Sequence, residues 1–165
     1  MLAQKSISRV VILHLIAILF VIFNMSNIRI AGLSDIIPLF DLMAVFYFVV
    51  FKNVFGVWFI FLLGIWSDAL NGNPLGATSI CYIVLTRLFL LLNSKLMIRE
   101  NFRHIWQQFI VFCFCFLLMK WLILSIFSDD FYNVTRIVAQ FILSSSLYVV
   151  MHKFFDYLSL KLLEN

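Results

Sequence analysis

Six stretches of this sequence, at about 10–28, 36–51, 54–68, 75–93, 107–127 and 134–152, consist mainly of apolar side chains, and each holds at most one charged residue. A helix made from such a run has no polar face to turn to water, so it must be buried all round or face lipid. One run of this kind fits inside a soluble domain; six of them in 165 residues do not. The 12% charged content is well below the ~25% usual for soluble proteins, and 20 Phe exceed what a single core of this size can enclose. A water-soluble domain, a disordered segment and a secreted disulfide scaffold are thereby excluded. The expected fold is an all-α integral membrane protein, a compact six-transmembrane-helix bundle forming one domain over residues 1–165.

Charge placement sets the helix count. Lys52 and Asn53 either separate two short spans or sit in the middle of one long helix. With six spans and a cytoplasmic amino end, Lys5, Arg9, Lys52, Lys95, Arg99, Arg103, Lys153 and Lys161 lie inside and only Arg29 and Arg136 outside. The five-span alternative weakens this bias and leaves Lys52 at mid-bilayer, at a cost of about 2.5–3.5 kcal/mol. Six spans with both termini cytoplasmic is the expectation. The first run continues past Phe23 without a small-residue cleavage pattern, so it reads as a retained span rather than a signal peptide. The basic surplus then encodes cytoplasmic loops, and no spacing of basic and aromatic residues points to nucleic acid.

Chemistry has few places to sit. The sequence holds no GxSxG elbow, HExxH, Walker loop or GxGxxG. Cys81, Cys113 and Cys115 lie in apolar runs and read as small hydrophobes. His14, His104 and His152 fall in separate segments, so no metal and no cofactor is expected. The candidates are the polar residues within or beside the spans: Asp41, Asp68, Arg87, Lys120 and Gln140. At 1.5 Å per residue, Arg87 lies about 20 Å from Pro74, beyond the reach of Asp68. The same arithmetic puts Lys120 about 21 Å from Trp106, at the level of Asp41 and Asp68. These three form either a polar docking or ligand site, or a lysine snorkelling outward beside two aspartates that cap helix ends. Gln140 with Ser144, Ser145 and Ser146 suits close helix packing. Lys95, Arg99 and Arg103 recur every four residues beside Ile98, Phe102, Ile105 and Trp106. They fit a short interfacial helix touching lipid headgroups, or equally an ordinary cytoplasmic loop.

The segment Gly64–Ile–Trp–Ser–Asp68–Ala–Leu70–Asn–Gly72–Asn–Pro74–Leu75–Gly76 has a local logic. Gly72 and Gly76 open backbone conformations closed to other residues, and Pro74 suits the approach to a helix. Asp68 can accept from free amides in the turn or from the first turn of the next helix. The pattern of a glycine four residues before an aspartate, then D-x-L-x-G-x-x-L-G, resembles the bacterial rod shape-determining protein MreD family. Softer matches follow at Leu85–Thr86–Arg87 and at Arg99, Phe102 and Trp106, so that the likeness runs over residues 38–108. Two departures lie in the second span: Pro38 and Asp41 are separated by two residues where the family often has them adjacent, and Lys52–Asn53 replaces a loop that often holds proline.

The resemblance implies a non-enzymatic protein of the bacterial inner membrane that belongs to the rod or elongation complex. It implies binding to an MreC-like bitopic protein, and indirectly to MreB filaments and the RodA and penicillin-binding synthases that extend the lateral wall. It also implies a fold similar to the substrate-binding subunits of energy-coupling-factor transporters. A vitamin-binding subunit of such a transporter is the alternative. Ala17 is followed four residues later by Val21 instead of a second alanine, which weighs against it. A membrane enzyme acting on lipid or peptide is a third and weaker reading.

Overall fold

The computed structural model describes residues 2–25, 37–93, 102–127 and 134–161. Among these residues the chain forms six helices and no strand. They are α1 (Leu2–Met25), α2 (Phe40–Val45, continuing as a π-helical segment, Phe46–Phe51), α3 (Val57–Asn71), α4 (Ala77–Asn93), α5 (Phe102–Phe127) and α6 (Val134–Ser159).

The second helix is the central post. Every residue from Asp41 to Val50 is buried, which is why its sequence shows no polar stripe. Phe46 contacts Phe109 and Phe112 of α5 and Tyr148 of α6, with ring centroids at 5.4, 5.2 and 5.7 Å. Around this post α1 packs on α3, α3 on α4, α4 on α5 and α5 on α6. Phe20 closes the ring against Phe155 of α6 at 5.6 Å. At 1.5 Å per residue the post is about 18 Å long, short of the ~30 Å of a bilayer core. Two helices, Phe102–Phe127 and Ile137–Ser159, are each long and apolar enough to cross a membrane.

Lys52 and Asn53 separate two helices. The Lys52 amide donates to Tyr47 O at 2.9 Å, five residues back, and Asn53 takes a positive φ of 51°. Asn tolerates this left-handed conformation better than most residues, and it turns the chain toward α3.

Several helix ends differ from the limits of the apolar runs. Pro38 disfavours helix just before it, so α2 starts at Phe40 rather than 36. The third helix continues past Asp68 to Asn71, because it is stopped by Gly72 at φ 67°. The fifth begins at Phe102 and takes up Ile105 and Trp106. These residues are therefore not in a separate interfacial helix: Ile105 is buried, and Trp106 Nε1 donates to Ser145 O of α6 at 3.0 Å. The sixth runs on to Ser159, and the first starts upstream of Val10.

Polarity is inverted relative to a soluble protein. Leu15, Leu19 and Ile22 on α1, Trp58, Leu62 and Trp66 on α3, and Val111, Leu118 and Leu122 on α5 are exposed. Meanwhile Asp41, Ser67, Asp68, Thr78, Ser79, Thr86 and Ser144 are buried. Apolar outside and polar inside fits a protein dissolved in lipid, where buried polar groups hold helices together.

Candidate functional site

The tightest helix pair, α3 with α4, is built on one glycine. An ideal Cβ on Gly64 would lie 2.5 Å from Ser79 Cα and 2.6 Å from Ser79 N, so the two backbones touch there. Ser79 Oγ seals the contact by donating to Phe61 O at 2.8 Å. One turn further on, Asp68 is fully buried. Its Oδ2 accepts the backbone N–H groups of Gly76 at 3.0 Å and Thr78 at 2.9 Å, and its Oδ1 accepts the Thr78 hydroxyl. Asp68 thus caps the amino end of α4 from the neighbouring helix, satisfying amides that have no partner within the helix. The turn that brings this about needs Gly72, and Gly76 at φ 96°, in conformations L side chains avoid. Leu70 packs against the core, whereas Leu75 is exposed beside Pro74.

Asp41, 2% exposed, collects donors from three other helices. Its Oδ1 accepts Asn24 Nδ2 of α1 at 3.0 Å and the Leu42 amide at 2.9 Å. Its Oδ2 accepts the Tyr82 hydroxyl of α4 at 2.7 Å and the Ser67 hydroxyl of α3 at 3.3 Å. The two carboxylates share a frame. Ser67 precedes Asp68 on α3, while on α4 Thr78 serves Asp68 and Tyr82, one turn on, serves Asp41. Tyr82 is itself held by stacking on Phe116 at 5.2 Å.

The other sequence candidates fall elsewhere. Lys120 is half-buried with Nζ 5.8 Å from the Phe116 ring, and no ion pair joins it to Asp41 or Asp68 among the described residues. Gln140 Nε2 donates to Ile37 O at 3.0 Å, and Ser144 Oγ accepts the Leu39 amide at 3.0 Å. These two α6 residues clip the chain on either side of Pro38. Arg87 is exposed on α4, and Arg103 is exposed on the first turn of α5. Lys95 and Arg99 lie outside the described residues.

A second polar cluster went unread in the sequence. At the opposite end of the post, Tyr47 donates its hydroxyl to Asp156 Oδ1, and Asp156 Oδ2 lies 3.4 Å from His152 Nε2. His152 Nδ1 faces the Tyr148 hydroxyl at 3.3 Å. Tyr148, His152 and Asp156 recur every four residues, the spacing of one helix face. That periodicity was available, but nothing local indicates Tyr47, 109 residues away from Asp156.

A family model described as rod shape-determining protein MreD matches residues 4–158 of the chain. The match covers nearly the whole sequence, and the chain belongs to the MreD family. Membership gives it a role in the rod-shape complex, within a family of shape-determining structural proteins, and it does not favour a transporter subunit. No curated protein and no solved structure matches.

Proposed function

We propose that this MreD-family protein is a non-enzymatic scaffold of the bacterial inner membrane, crossing it six times with both termini in the cytoplasm. In this reading it binds an MreC-like bitopic protein. Through that partner it is coupled to MreB filaments and to RodA and penicillin-binding synthases, so as to guide lateral peptidoglycan synthesis. The family match carries the proposal. The use of the buried polar groups supports it: both oxygens of Asp41 and of Asp68 accept bonds from within the bundle. Such groups hold helices in place and leave the outer apolar surface to meet partners.

Co-expression of the full chain with an MreC-like protein, followed by affinity purification in a mild detergent, tests the reading. A stoichiometric complex is expected. A tightly bound small ligand in place of that partner would refute it. Reporter fusions at the two termini are expected to behave as cytoplasmic, and a periplasmic carboxyl end would overturn the topology.

A further inference from the structure

The inner face of α4 is committed to the bundle through Cys81, Tyr82, Leu85 and Phe89, all buried. Its outer face carries Ile80, Val84, Arg87 and Leu88, all exposed. Their spacing of i, i+4, i+7 and i+8 is the stripe by which one helix seats on another. Three apolar residues there are ordinary for a lipid-facing helix, but an arginine among them is not.

Arg87 is ten residues from the start of α4 and six from its end, so about 15 Å and 9 Å from the two termini at 1.5 Å per residue. Of the four charged candidates within or beside the spans, three have partners inside the chain: Asp41 and Asp68 have hydrogen bonds, and Lys120 has the Phe116 ring. Arg87 makes no hydrogen bond, ion pair or ring contact among the described residues.

We propose that the outer face of α4, formed by Ile80, Val84, Arg87 and Leu88, is the docking surface for a transmembrane helix of another protein that presents a carboxylate at the level of Arg87. This rests on the scaffold reading above and assigns the partner to a face. Charge complementarity selects the occupant. Among the described residues a second copy of this chain offers no free acid for the purpose: Asp41 and Asp68 are buried, and Asp156 is engaged with Tyr47 at one end of the bundle. A lipid phosphate lies at the headgroup level, which Arg87 reaches only by extending its side chain along the last six residues of α4. A carboxylate on a parallel helix meets the guanidinium at its own depth and can do so with two hydrogen bonds.

The test compares recovery of the co-expressed bitopic partner on the full-length protein carrying Arg87→Lys, Arg87→Leu, Arg87→Glu or Val84→Trp. Val111→Trp, on the exposed face of α5, is the control. We expect a loss of about thirtyfold or more for Arg87→Leu and Arg87→Glu, as for truncating one member of a desolvated charge pair. Arg87→Lys and Val111→Trp should retain the complex, and Val84→Trp should block it sterically. Unfolding midpoints unchanged from wild type would show that the variants are folded. Wild-type complex that survives Arg87→Glu and Val84→Trp overturns the docking face and leaves the scaffold intact. Absence of complex with wild type overturns the scaffold reading itself. Loss of bound anionic phospholipid in native mass spectra of Arg87→Leu, with the partner retained, overturns the docking face in favour of a headgroup contact. A disulfide-linked homodimer through Val84→Cys, formed at the expense of the partner, does so in favour of self-association.

Discussion

Asp68 makes the sharpest stability prediction, because its three acceptor contacts are all visible and differ in kind. Replacement by Ala removes the cap from α4 and leaves the Gly76 and Thr78 amides without the partner they have in the native fold. Loss of an N-cap costs about 0.5–2 kcal/mol, and a buried donor left unpaired adds about 1–3 kcal/mol. Asp68→Ala should therefore destabilise by about 2–4 kcal/mol, allowing for overlap between the two effects. Asp68→Asn is a milder change. Its carbonyl oxygen can keep both backbone amides while its NH2 group faces Thr78 Oγ, whose hydroxyl can turn and accept. What is lost is the negative charge at the helix amino end, worth about 0.3–1 kcal/mol at exposed sites and up to about 2 kcal/mol when buried. Thr78→Val removes a single hydroxyl contact, at about 1 kcal/mol, and should add little to Asp68→Ala because the partner is already gone. Unfolding of the purified protein in mixed micelles, followed by circular dichroism, gives the order Ala below Asn below wild type. If Ala and Asn variants unfold together, the cap is not what Asp68 supplies; if Thr78→Val and Asp68→Ala add in full, the Thr78 hydroxyl does not contribute through Asp68.

Gly64→Ala would place a Cβ 2.5 Å from Ser79 Cα, so α3 and α4 must part by roughly 1 Å, at about 1–3 kcal/mol. Ser79→Ala should not rescue it, since two of the three close atoms are backbone, and a melting series of the single and double variants checks this. At Asp41, the Asn variant can turn its NH2 toward the Ser67 and Tyr82 hydroxyls, which are able to accept, and should lose about 1–2 kcal/mol. Asp41→Leu leaves the donors from α1, α3 and α4 facing an apolar group and should give little folded protein by size-exclusion chromatography. Tyr47→Phe removes the donor to Asp156 while preserving the ring packing, and we expect a lower unfolding midpoint by an amount equivalent to about 1 kcal/mol. A wild-type midpoint would show that the Tyr47–Asp156 hydrogen bond contributes no stability.

Local chemistry is what the sequence made readable. The Asp68–Gly76 turn is legible because its donors and acceptor lie within ten residues, and the glycines and proline there have conformational requirements of their own. Asp41 is identifiable as a buried acid, but its partners Asn24, Ser67 and Tyr82 stand 17, 26 and 41 residues away, and no spacing rule reaches them. Lys120 shows the limit of depth arithmetic. Counting residues along a helix fixes height in a bundle and says nothing of azimuth, and Lys120 is turned over Phe116 instead of toward an aspartate. The same limit applies to Gln140 and Ser144: their i, i+4 spacing puts them on one face, but that the face meets Ile37 and Leu39 is a matter of topology.

The central post brings these contacts to a common purpose. Residues 41–50 are apolar apart from Asp41 and the Tyr47 hydroxyl, and they are enclosed by large aromatic rings. In lipid the hydrophobic effect does little to fix the register of a helix, because the tails outside are as apolar as the core. Hydrogen bonds do fix it. Asp41 pins the start of the post to α1, α3 and α4, and Tyr47 pins its other half to Asp156 on α6. A slide of the post by one turn, about 5.4 Å, breaks both at once and leaves the buried Asp41 carboxylate without its partners. The π-helical stretch from Phe46 to Phe51 contains the second pin, Tyr47, and runs up to the loop at Lys52. Two polar residues on the post, Asp41 and Tyr47, are thus enough to set its register.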